Sequence, residues 1–150
     1  MKFDIGKFEA IVSSFHNRLL TVPEAKTSIK LAPDKWSLKE IVGHLIDSAF
    51  NNHQRFVRLQ EESSLNLPGY NQENWVRIEG YNDMNWGDLV QLWLLMNTLL
   101  LHIIEGMRED CLKNIYHAAN GPMTLEALVN DYFRHMQDHV IHFEERYGEL

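Results

Sequence analysis

The sequence predicts an all-α protein folded as a four-helix bundle. Four segments of ~15–25 residues repeat apolar residues at helical spacing. Helix-start residues and Pro or Gly breaks separate them, and no stretch alternates as a convincing strand. Such segments bury their apolar stripes against one another most simply as a bundle.

The first helix runs from about Asp4 to Leu20, with Phe8, Ile11, Val12, Phe15, Leu19 and Leu20 as its stripe. Pro23 ends it, and Lys30 to Lys35, containing Pro33, reads as an extended connector. Ser37 opens the second helix. With Glu40 three residues on it forms a capping box, and Trp36 before it is placed to act as a hydrophobic staple. Leu38, Ile41, Val42, Leu45, Ala49, His53, Phe56 and Val57 follow at helical spacing to about Glu62. Pro68 and Gly69 then break the chain. Residues 70–84 read as irregular, with one helical turn around Gln72 to Val76.

Asn85 caps the third helix, with Asp88 in its first turn. Its stripe is Leu89, Leu92, Trp93, Met96, Leu99, Leu100, Ile103, Ile104 and Met107. Asp110 to Asn120 reads as a connector, and Asn120-Gly121-Pro122 as a turn. Thr124 caps the fourth helix, which carries Leu125, Leu128, Val129, Tyr132, Met136, Val140 and Phe143 to near Tyr147.

The 150 residues fit one domain over 1–150, with no repeat, low-complexity run or linker. The net charge of −7 argues against nucleic acid, whose phosphates need a basic surface. The lone Cys111 forms no internal disulfide, and the N-terminus lacks the apolar run of a signal peptide. Runs such as Leu92–Met96 are too short to span a bilayer, so a cytoplasmic protein without a membrane partner is expected.

The fourth helix carries the chemistry. His135, His139 and His142 recur at spacings of four and three, which puts them on one helical face. Two imidazoles one turn apart form a two-point clamp for a transition metal, which then needs a ligand from elsewhere. Helical histidine pairs also occur at core edges without metal. Five other histidines are available: His16, His44, His53, His102 and His117. His44 is the best third ligand. At ~100° per residue it lies about 60° from Ile41, at the edge of the second helix's stripe.

Two strings extend this reading. Trp36-Ser-Leu-Lys-Glu-Ile-Val-Gly-His44-Leu-Ile-Asp-Ser48 resembles the opening motif of the DinB/YfiT-like superfamily. Tyr116-His117, then Asn120-Gly-Pro-Met-Thr124-Leu-Glu-Ala-Leu128 and the histidines of the fourth helix, resemble its closing motif. Tyr70-Asn-Gln-Glu-Asn-Trp75 between them is similar to the YfiT-like branch. The resemblance implies an up-down-down-up bundle and a divalent metal, nickel or zinc being typical. It implies His44, His135 and His139 as the ligands, with His142 in support.

Three neutral imidazoles with open positions make a catalytic-type site, able to lower the pKa of a bound water or thiol. The resemblance implies a thiol S-transferase that joins a low-molecular-weight thiol to a small electrophile. A metal-dependent hydrolase, or a non-catalytic binding module of the same fold, are the alternatives. Asp47 and Asp131 lie within a turn of expected ligands, and Asp138 within a turn of His142, as candidate supporting carboxylates. Tyr70 and Trp75 are expected to wall the pocket, and Asn97 to face its open side. A homodimer that covers Trp93 and Leu95 is a further expectation.

Overall fold

The computed structural model describes residues 3–150. Five α-helices run in chain order: α1 (Ile5–Leu20), α2 (Leu38–Glu61), the short α3 (Gln72–Glu79), α4 (Trp86–Glu105) and α5 (Leu125–Gly148). The expected caps Ser37, Asn85 and Thr124 are observed, and Asp4 and Asn71 cap the other two helices. The side chains of Asp4, Ser37, Asn71, Asn85 and Thr124 each accept a backbone N–H three residues on. At α2 the box is reciprocal. Ser37 Oγ accepts from the Glu40 N–H at 3.2 Å, and Glu40 Oε1 accepts from the Ser37 N–H at 3.0 Å.

The four long helices pack in a ring, α1 against α4, α4 against α2, α2 against α5 and α5 against α1. Side-chain pairs fix their directions. Phe8 stacks on Phe133 at 3.9 Å and Phe15 meets Phe143 edge-on at 5.3 Å, so α1 and α5 run parallel. Trp36 and His44 of the second segment meet Arg146 and His135, while Phe56 meets Tyr132, so α2 and α5 are antiparallel. Residues 9–13 of α1 face 94–105 of α4, and 16–20 face 86–94, which makes that pair antiparallel. The order is therefore up, down, down, up, as the resemblance implied.

α2 is the central helix. From Leu38 to Ala49 every side chain except that of Glu40 is buried, His44, Asp47 and Ser48 among them. Tyr81 lies directly on its backbone. A Cβ at Gly43 would fall 2.1 Å from the Tyr81 ring, so only glycine admits that approach.

Several expectations need correction. The structure contains a three-stranded sheet where none was expected: β1 (Ser64–Leu65), β2 (Ile115–Ala118) and β3 (Gly121–Thr124). β1 pairs in parallel with β2, and β2 with β3 as a hairpin that closes between Ala118 and Gly121. Gly121 takes φ 126°, a glycine conformation, at the anticipated turn. Strands of two to four residues leave no readable alternation, and β1 lies some fifty residues from its partner. The sheet ties the end of α2 to the start of α5, helped by a bond from Asn114 Nδ2 to the Leu59 carbonyl at 2.6 Å.

The turn expected near Gln72 extends to the full helix α3. Trp93, expected to cover a partner, is wholly buried and meets Phe15 edge-on at 5.2 Å; Leu95 is exposed. Leu20, Val57 and Leu99 fall on the solvent side of their helices. The apolar runs of the third segment join into the 20-residue α4, which by length and composition alone suffices to cross a membrane. In the bundle it packs on α1 and α2 through Leu89, Trp93, Leu100 and Ile104.

Candidate metal centre

The antiparallel packing of α2 on α5 brings His44 against His135 and His139. The ligating nitrogens of the three rings lie within 4.8 Å of one another. His44 Nε2 and His135 Nε2 are 3.3 Å apart. The His44 and His139 rings, and the His135 and His139 rings, have centroids 4.5 Å apart. Two nitrogens each ~2.1 Å from one tetrahedral ion lie ~3.4 Å apart, so the His44–His135 spacing suits a shared ion. His44 is fully buried and the other two are half-buried.

The electrostatics suit ligation. Burial, then the neighbouring rings of His139 and His135, lowers the pKa of His44 to about 3. Burial, then His135, lowers that of His139 to about 4. His135 is also lowered, chiefly by burial. At neutral pH all three are uncharged imidazoles, the form that binds metal.

Around this trio stand residues with different fates. Trp36 was read as a staple, yet its ring lies over the site, 5.0 Å from His44 and 6.4 Å from His142. The buried Arg146 holds Trp36 from behind by donating Nη1 to its carbonyl oxygen. His142 stands beside the trio, with its Nδ1 3.5 Å from His139 Nδ1.

Asp47 is buried but turned to α3's far end: its Oδ1 accepts the Tyr81 hydroxyl at 2.7 Å. Burial, then Glu79, raises its pKa, so Asp47 stays protonated well above the usual carboxylate range. Asp47 Oδ2 and His44 Nδ1 are both buried without a protein partner.

Asp131 and Asp138 do not support the histidines by hydrogen bonds. Both pair with Arg134, at 2.6 and 2.9 Å, because long exposed side chains on one helix find each other first. Asn97 does not face an open side. It is buried, accepts the Tyr132 hydroxyl at 2.6 Å and donates to the Trp93 carbonyl. Tyr70 does wall a cavity of about 320 Å³ beside His135; Trp75 does not line it and instead packs against Tyr70 at 4.8 Å.

Ser48, Asn52 and Arg55, which line the same cavity, were not singled out in the sequence. They continue the His44 face of α2 at steps of four, four and three, a polar ladder that the spacing contains.

A model of the DinB superfamily matches residues 7–142. Two relatives, from Bacillus cereus (strain 03BB102) and Bacillus thuringiensis subsp. konkukian (strain 97-27), are provisionally named metal-dependent hydrolases. Each is 25% identical over 107 residues, which is 71% of this chain and 62% of the relative. The chain thus spans about three fifths of the length of these curated relatives. In fold the chain resembles YfiT from Bacillus subtilis, described as a probable metal-dependent hydrolase with an unusual four-helix bundle topology. The TM-score is 0.84 at 16% identity, over 97% of this chain and 84% of that one.

Proposed function

The chain belongs to the DinB superfamily, and from that premise we propose that it is a metal-dependent enzyme whose His44, His135 and His139 hold one divalent ion, nickel or zinc, for hydrolysis of a small molecule. The observation that carries this reading is the convergence of three neutral imidazoles from two helices within 4.8 Å. An ion held there acts as a Lewis acid, lowering the pKa of a coordinated water or thiol and polarising a substrate oxygen.

The chain's own residues supply the rest. The uncharged imidazoles leave the ion's charge undiminished toward substrate. His142, with its Nδ1 3.5 Å from His139 Nδ1, stands where it can steady the His139 ring. Trp36 shuts out water on one side, while the cavity past His135 admits substrate.

Thiol transfer, the first expectation from the resemblance, uses the same imidazoles with a low-molecular-weight thiol in place of water; the relatives' names lend it no support. We further place the protein in the cytoplasm, where the buried, unpaired Cys111 is at ease.

Elemental analysis and metal titration of protein purified without a nickel column test the reading. About one ion per chain is expected, lost in His139→Ala with the helical circular dichroism retained. Absence of bound ion together with failure to take up nickel or zinc would overturn it. Metal-dependent turnover of an ester or amide without added thiol supports hydrolysis; turnover that requires thiol moves the assignment to transfer.

A further inference from the structure

Arg55 occupies an unusual position for a cation. Arg18, Arg108, Arg134 and Arg146 each sit beside a carboxylate. Arg58 and Arg77 are exposed to solvent. Arg55 is half-buried, and no carboxylate lies within ion-pairing distance of it among the described residues. Its guanidinium instead lies 4.7 Å over the Tyr116 ring, on the wall of the 320 Å³ cavity that His135 also lines. In a chain of net charge −7, a sheltered arginine without a counter-ion marks a place for an anion from outside.

The surroundings agree. The face of α2 that begins at His44 continues through Ser48 and Asn52 to Arg55, eleven residues on. That is roughly 16 Å along the axis at ~1.5 Å per residue, and helical side chains lean toward the N-terminus, so Arg55 leans back toward His44. Tyr70 lines the same cavity, within electrostatic reach of Arg55 and Ser48 and also of Asp47 and Glu79. Asp131, the acid that also lines this cavity, is paired with Arg134 at 2.6 Å. The volume suits a metabolite rather than a polymer.

We propose that this cavity binds the anionic end of a small substrate, a carboxylate or phosphoryl group, with Arg55 as its counter-ion and the three imidazoles at the other end. The second half rests on the metal-dependent reading above. The substrate is then a small ester or amide with an acidic group several bonds from the bond that breaks. Arg55 is a specificity residue: it chooses and orients substrate without touching the reacting atoms.

The test begins with the metal-free full chain. Titration with inorganic phosphate and with succinate, followed by amide NMR, should give saturable shifts at Arg55, Tyr70 and Tyr116. Arg55→Gln should weaken both roughly tenfold or more, and Arg55→Lys less. Tyr70→Phe gives a second, conservative variant should Arg55→Gln fold poorly; it should weaken binding by a smaller factor. Zinc-loaded protein should prefer a dicarboxylate of fitting length over acetate, and His139→Ala should lose that preference while Arg55 still binds anion. Absence of saturable shifts in the cavity, or equal binding by Arg55→Gln, overturns the proposal even when metal is bound. Protein that takes up no metal yet binds phosphate at Arg55 upholds the anion site and fells the metal reading instead.

Discussion

His44 and His139 are held neutral by burial down to about pH 3 and 4, against 6.5 for an ordinary histidine. The unfolded chain therefore binds protons that the native one refuses, and native stability falls as pH drops from about 6.5 toward 4. Urea midpoints of the metal-free protein should show that decline, and His139→Gln should flatten it. Asp47 works with the opposite sign. Its carboxyl is protonated in the fold at pH values where the unfolded one has ionised, so its contribution is lost as pH rises. Asp47→Asn, neutral throughout, should make the protein less sensitive to alkali in the same assay. Gly43 is the sharpest steric test. Gly43→Ala drives a methyl into the Tyr81 ring and should cost about 1–3 kcal/mol by urea unfolding, despite the better helix propensity of alanine.

At the scale of elements, α2 is set by its N-terminal box. Ser37 also donates Oγ to Asn82 Oδ1 at 2.6 Å, tying the helix start to the turn before α4. Ser37→Ala should therefore exceed the ~1 kcal/mol typical of a lost cap, as read by thermal unfolding. The caps at Ser37, Asn85 and Thr124 were legible, because a cap is a bond over three residues and is written locally; those at Asp4 and Asn71 emerged only in the structure. The small sheet was not legible. Its pairing of Leu65 with Tyr116 spans some fifty residues, and two-residue strands have no period to read. His135 and His139 were likewise legible from a spacing of four, whereas Asp131 and Asp138 were misjudged. Spacing places a carboxylate near a ligand but cannot reveal that Arg134 takes it.

Across the whole molecule, the core joins all four long helices through Phe15, Trp93 and Phe143 in edge-on contact, with α2 packed against α4. Trp93→Ala should cost about 3–5 kcal/mol, measured by urea unfolding, as large core truncations do. A ligand that bridges α2 and α5 binds only the folded chain. Zinc at ~100-fold above its Kd should thus add ~2.7 kcal/mol of stability, visible as a concentration-dependent rise in Tm. His44→Ala, which removes the α2 side of the site, should abolish the rise.

The sequence by itself determined the four long helices, the caps at Ser37, Asn85 and Thr124, most of the core stripes and the two imidazoles of α5, since each depends on neighbours within a turn or two. With the family resemblance it also selected His44. Only the tertiary structure decided that Trp36 covers the site, that Asp47 turns to Tyr81, and that Asn97 serves the core. Only it set Arg55 facing a cavity without a counter-ion. Those outcomes depend on which side chains meet across antiparallel helices, and the one-helix period leaves that choice to packing.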